Sequence, residues 1–142
     1  MNGKMKKDVL VSFTSYNAYE DADIDKVIFE TKGSFYQKEG KFYLKYEEQL
    51  NDVKVSNTLK IEDKKVTIMR FGEVNTQIIV EQGKKHLNYY ETGEGTFLMG
   101  IYGDHVDIDI SETKGQIVLK YGVEFNNVLT TKNTIEVKFE EL

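Results

Sequence analysis

The sequence predicts an all-β protein, a closed antiparallel up-and-down (meander) barrel of about eight to ten strands. Three observations carry that expectation. Apolar residues recur with a period of two almost everywhere, turn signals close each run, and no segment shows the 3.6-residue period of an amphipathic helix. Composition agrees: the 142 residues are 39% hydrophobic and 30% charged, with nine Tyr, eight Phe and no Pro. That balance suits a folded domain rather than a disordered chain or a membrane protein. A chain of this length buries roughly 68–70% of its unfolded surface, enough for a real core.

Taken in order, Val9, Val11 and Phe13 alternate, as do Val27, Phe29, Thr31, Gly33 and Phe35. Ile117, Leu119, Tyr121, Val123 and Phe125 alternate further on, followed by Ile135, Val137 and Phe139. About eleven such runs are visible, with no composition break to mark a linker. A single domain spanning 1–142 is therefore expected, with residues 1–4 readable as an extension because Met5 offers a second start.

Two-residue hairpin loops fix which residues face each other, so the turns test the pattern. A loop at Glu39-Gly40 sets Phe35 opposite Leu44, Gly33 opposite Tyr46 and Tyr36 opposite Tyr43. A loop at Asp63-Lys64 aligns Ile61 with Val66 and Leu59 with Ile68. Gln82-Gly83 would align Ile78 with Leu87. Gly103-Asp104 would set Ile101 against Val106 and Met99 against Ile108. A turn centred on Thr113-Lys114 would align Ile110 with Ile117. Each register gathers apolar side chains on one face, which is the consistency expected of a meander. An open sheet of this length would expose unpaired edges, so closure into a barrel is favoured over a two-layer sandwich. A barrel of this size is either filled by side chains or holds one small ligand.

The chemistry is narrowed mostly by exclusion. There is no Cys, hence no disulfide, thiolate nucleophile or Cys-based metal site, which suits a cytoplasmic protein. The net charge of −5 argues against nucleic acid and anionic membranes as partners. The basic start, Met1 to Lys7, leads only into Val9-Leu10-Val11, far short of a signal-peptide core, and no stretch approaches a transmembrane span.

Several segments resemble the YwiB-like family of uncharacterised bacterial proteins, grouped with the calycin or lipocalin-like barrels. They are KKDVLVSFTSY at 6–16, GSFYQKEGKFYLKYEE at 33–48, TLKIEDKKVTIMRFG at 58–72 and GKKHLNYYETGEGTF at 83–97. Arg70-Phe71-Gly72 and His86 through Gly95 are the most distinctive. In that family a Pro often follows the Tyr-Glu-Thr triplet, where this chain has Gly93. The resemblance implies a calycin-like barrel and no established activity; fold alone does not license function.

Arg70 is the only Arg in the chain. The Asp63-Lys64 register places it on the apolar face opposite Asn57, so it should point into the barrel near the 72–75 turn. An inward guanidinium needs a partner, and its planar fork suits a carboxylate. The Gln82-Gly83 register nominates Glu91, on the same face as Tyr89 and at the same rim. The expected ligand-binding set is therefore Arg70, Glu91, Asn57 and Tyr89. Two readings stand beside each other: a structural ion pair or water-reaching Arg at the barrel end, or an anchor for a ligand carboxylate or phosphate in the barrel mouth.

Other features read as structural or solvated. His86 and His105 lack metal-like spacing, and no Gly-x-Ser-x-Gly motif accompanies them. Asp107 and Asp109 alternate with Val106, Ile108 and Ile110, so with Asp104 they offer too few oxygens for Ca²⁺. Gly93-Glu94-Gly95 is too short for a phosphate loop, and Lys84-Lys85 is a weak basic spot. Outward Tyr36, Tyr43 and Phe71 fit a protein-binding or homodimer surface better than an RNA platform, which would surround them with Lys and Arg. No catalytic residue, metal or cofactor is assigned. The leading expectation is non-catalytic binding of a small anionic or amphipathic ligand. The alternative is an interaction or homo-oligomeric module whose barrel is packed by Phe13, Phe29, Leu44, Met99 and Leu119.

Overall fold

The alternating runs become ten strands: β1 (Lys7–Tyr19), β2 (Asp25–Lys38), β3 (Lys41–Leu50), β4 (Val53–Glu62), β5 (Lys65–Phe71), β6 (Thr76–Glu81), β7 (Lys85–Thr92), β8 (Gly95–Ile110), β9 (Lys114–Phe125) and β10 (Val128–Glu141). The structure, a computed structural model, describes residues 6–19, 25–50, 52–72 and 75–142, without the side chains of 19, 25, 50 and 90–92. No helix occurs among the described residues. One sheet runs in the order β6-β5-β4-β3-β2-β1-β10-β9-β8-β7, antiparallel throughout. The ring closes at the termini, where β1 and β10 pair from Val9–Glu141 to Tyr19–Thr131 and the Leu142 N–H donates to the Asp8 carbonyl at 3.0 Å. The remaining seam lies between β6 and β7, so the barrel is nearly closed.

Two hairpin registers read from the sequence hold. Glu39 and Gly40 both have positive φ, 53° and 77°, the type I′ geometry that matches strand twist. Phe35 then faces Leu44, and Gly33 faces Tyr46. Asp63-Lys64 sets Ile61 against Val66 and Leu59 against Ile68. Tyr36 and Tyr43 stack with ring centroids 5.0 Å apart, yet Tyr36 is only 6% exposed. It is therefore not an open docking ring, although it lies on the outer face.

Three turn assignments need correction. Gly103-Asp104 is not a hairpin loop: 95–110 is one strand, with Ile101 opposite Val123 and Val106 opposite Leu119. The inward parity switches from Met99 and Ile101 to Val106 and Ile108 because a bulge between Gly103 and His105 inserts one residue. A bulge and a turn leave the same parity change in sequence, which is why eleven runs make ten strands. The next hairpin pairs Ile110 with Gly115 and Ile108 with Ile117, two residues away from the expected alignment. A slip of two preserves the buried face.

The third correction concerns Gln82-Gly83. The turn exists, with the Lys84 N–H donating to the Glu81 carbonyl at 3.1 Å. No β6–β7 ladder follows among the described residues. Instead Gly83 N–H donates to the Gly103 carbonyl at 2.8 Å, and Gly103 N–H to the Lys84 carbonyl at 3.0 Å. The chain crosses onto β8 here because Gly103 has no side chain: a Cβ would sit 2.2 Å from the Glu81 carbonyl oxygen. The Gln82 side chain and Lys64 also bond the Val106 backbone, at 3.0 and 3.3 Å. This crossing draws the two sheet ends together.

Inward positions form the core. Val11, Leu44, Val66, Ile101, Ile117 and Leu119 are fully buried, each contributing about 1.5–3 kcal/mol of apolar burial. Phe35 stacks on Phe139 at 4.4 Å and on Phe42 at 5.5 Å, filling one end of the lumen. Met99 is buried too, while Phe13 and Phe29 are half-buried and stack at 4.8 Å.

Candidate functional site

Toward the other end the inward positions turn polar. Ser15 on β1, Tyr46 on β3, Asn57 on β4, Tyr121 on β9 and Asn133 on β10 are all buried, and β5 adds Arg70. The same alternation that places Leu59 and Ile68 in the core sets Asn57 opposite Arg70 and Tyr46 opposite Asn57.

Arg70 does reach a carboxylate, but it is that of Glu48. Its Nη2 donates to Glu48 Oε1 at 3.0 Å, and Asn57 Nδ2 donates to the same oxygen at 3.0 Å. Arg70 is 40% exposed at its side chain and Glu48 16%. Among the described residues the guanidinium has no other hydrogen-bond partner, so most of its five donors remain available. The Glu48 carboxylate neutralises it without saturating it.

Two buried phenols lie within electrostatic reach of Arg70. Tyr46 and Tyr121 are 5% and 7% exposed, and neither hydroxyl has a hydrogen-bond partner among the described residues. No buried side-chain oxygen or nitrogen there is both sealed from solvent and unpaired, so both hydroxyls open onto accessible space. Burial pushes the Tyr46 phenol well above its ordinary range, with Glu48 adding to the rise and Arg70 opposing it. Burial pushes Tyr121 up to about 12, again opposed by Arg70. Arg70 thus acts on phenols from opposite walls, β3 and β9. Beside them Phe13 and Phe29 lie 6.3 and 6.1 Å from the Tyr46 ring, an apolar flank to the polar group.

Of the four residues expected from sequence, the structure brings Arg70 and Asn57 together. Tyr89 is 78% exposed, not inward. The expected placement depended on a β6–β7 ladder; β7 pairs with β8 instead, and His86 and Asn88 face β6. The Glu91 side chain lies outside the described residues, and its backbone pairs with Thr96. Tyr46, Glu48 and Tyr121 were missed as site residues. The Glu39-Gly40 register, carried two residues past Tyr46, marks Glu48 as an acidic residue at an inward position.

The remaining candidates are peripheral. His86 Nε2 lies 2.9 Å from Glu81 Oε1 at the closing seam, and that contact, with Lys84 nearby, holds the Glu81 carboxyl below its ordinary value of 4.5. Asp104, Asp107, Asp109 and His105 are exposed, with Asp104 3.6 Å from Lys132. Among the described residues no cluster of three or more His, Asp or Glu could hold a metal, and no helix is long and apolar enough to cross a membrane.

Fold and site together define an all-β protein whose ten antiparallel strands roll into a nearly closed barrel with one apolar and one polar end. The chain belongs to the family described as a domain of unknown function, DUF1934, whose pattern matches residues 11–137. It is 25% identical over 137 residues, 96% of each chain, to the uncharacterized beta-barrel protein YwiB of Bacillus subtilis (strain 168). The crystal structure of the ywiB protein from Bacillus subtilis matches its fold with a TM-score of 0.85 at 21% identity, covering 99% of this chain and 96% of that one.

Proposed function

We propose that the barrel binds a small amphipathic carboxylate at its polar mouth, without catalysis. The carrying observation is the pair of deeply buried phenols, Tyr46 and Tyr121, whose hydroxyls lack partners among the described residues, near an incompletely used guanidinium. Buried polar groups are normally hydrogen-bonded, so open donors around one guanidinium suit a ligand's oxygens. The carboxylate would sit on Arg70 and the phenols, and the apolar part against Phe13 and Phe29. Hexanoate and hexanol separate charge from hydrophobicity. Hexanoate should raise the thermal midpoint of the wild type by mass action, and hexanol should not. Arg70→Met should abolish the hexanoate shift. Equal shifts for both compounds, or a shift that survives Arg70→Met, would refute the reading.

One observation favours a second reading, a homo-oligomeric module. The outer face of β7–β10 carries exposed Leu87, Tyr102 and Leu129. Gly100 lies beneath Leu87 and Gly122 beneath Leu129, which flattens the surface. Native mass spectrometry of freshly purified protein reads both the subunit count and any retained ligand. A dimer lost on Tyr102→Glu would support this second reading.

A further inference from the structure

The barrel wall has a second opening, away from the β6–β7 seam. The β2–β3 ladder stops at Gly33–Tyr46. Beyond it, among the described residues, β2 continues to Asp25 paired only with β1, and β3 continues to Leu50 paired only with β4. Thr31 Oγ1 donates to the Glu47 carbonyl at 3.2 Å, taking an acceptor that faces β2 where the two strands part.

The type I′ loop makes Lys38 and Lys41 the closing hydrogen-bonded pair, and such pairs alternate along an antiparallel ladder. Even-numbered residues of β2 therefore direct their backbone groups toward β3, and odd-numbered ones toward β1. At Lys26, Ile28 and Glu30 those groups meet no partner among the described residues. The open stretch, residues 26–32, spans about 23 Å at ~3.3 Å per residue. It borders a cleft of about 560 Å³ lined by Ile28, Phe29, Glu30, Glu47, Gln49 and Lys54, among others. Ile28 is largely exposed.

We propose that this gap accepts a strand from another protein: an extended peptide in which basic and apolar residues alternate. Free sheet edges capture extended peptides through main-chain hydrogen bonds, and side-chain pockets select sequence. Here Glu30 and Glu47 point outward along the gap, opposite inward Val27 and Phe29. A bound strand would turn Lys or Arg toward the two carboxylates and β-branched side chains toward the barrel. Cross-strand opposite-charge pairs reinforce that register. The small-ligand reading rests on Arg70 and the two phenols, whereas the gap uses backbone edges; Phe29 and Glu48 border both.

The test titrates acetyl-(Lys-Val)₃-Lys-amide into ¹⁵N-labelled protein. Saturable shifts confined to amides 26–32 and 47–50 are expected. Affinity should fall at least tenfold for the same peptide N-methylated at alternate amides, and for its Glu-Val counterpart. Ile28→Pro removes one donor on the open edge while leaving the β1 pairing, and should weaken binding to a similar degree. Should that variant misfold, the N-methylated peptide still decides the question. Absence of saturable shifts, shifts elsewhere, or equal binding of the N-methylated peptide would overturn the proposal. So would protection of the same amides by self-association without peptide, which would make a second copy the occupant.

Discussion

Replacing Arg70 by Ala removes one of two donors on Glu48 Oε1 and leaves a carboxylate that is 16% exposed, with Asn57 still bonded at 3.0 Å. Direct attraction at 3.0 Å is about 5 kcal/mol for an effective dielectric near 20. Desolvation and side-chain ordering offset most of it. Exposed pairs net about 0.2–1 kcal/mol, and breaking a fully buried pair costs about 3–5 kcal/mol. This pair lies between those limits: water reaches the guanidinium more than the carboxylate, and Asn57 compensates in part. The expected loss for Arg70→Ala is about 1–3 kcal/mol, the cost of removing a hydrogen bond to a charged group. Glu48→Leu should lose a comparable amount, since it leaves Arg70 and Asn57 unpaired. The double variant Arg70→Met with Glu48→Leu should recover much of the deficit, because apolar replacement of an ion pair is often neutral. Urea unfolding of the wild type, Arg70→Met, Glu48→Leu and the double variant gives the coupling, expected at about 1–2 kcal/mol. Single variants within about 0.5 kcal/mol of wild type would place Arg70 among ordinary surface residues and refute the assignment of an organised pair.

Gly103→Ala should destabilise by about 1–3 kcal/mol or more, because the new Cβ meets the Glu81 carbonyl at 2.2 Å, whereas Gly93→Ala, which meets nothing within 4 Å, should be near neutral; urea midpoints compare the two. Leu44→Ala should cost about 2–5 kcal/mol in the same assay, since Leu44 is fully buried. Glu81 has a depressed pKa, so its contribution is present above the ordinary carboxyl value and lost as pH falls through the folded one. Glu81→Gln should accordingly flatten the acid limb of a stability–pH profile. The Tyr121 phenol is raised to about 12, so its contribution is complete below the ordinary value of 10.0 and lost as pH rises toward 12. Ultraviolet titration should show it ionising after the exposed tyrosines, and Tyr121→Phe should lessen the alkaline loss of stability.

Period-two alternation determined the all-β class by itself, because side chains on successive strand residues must point to opposite faces. Local turn chemistry determined the hairpins at Glu39-Gly40 and Asp63-Lys64, since a two-residue loop dictates the pairs that follow it. Arg70 opposite Asn57 was legible for the same reason. What failed were the pairing across the seam, the turn read at Gly103-Asp104 and the register after Thr113-Lys114, which slipped by two. Whether β7 pairs with β6 or β8 depends on where the sheet's ends meet, and that is decided by Gly103 accepting the Glu81 backbone, a contact between residues 22 positions apart that leaves no periodic signal. The bulge at Gly103 mimics a turn because both reverse parity. Tyr89 therefore went to the wrong face, and Glu48, two residues beyond the last pair used, was overlooked. Tertiary closure alone brings β3, β5 and β9 around the lumen, and only there does Arg70 act on both Tyr46 and Tyr121.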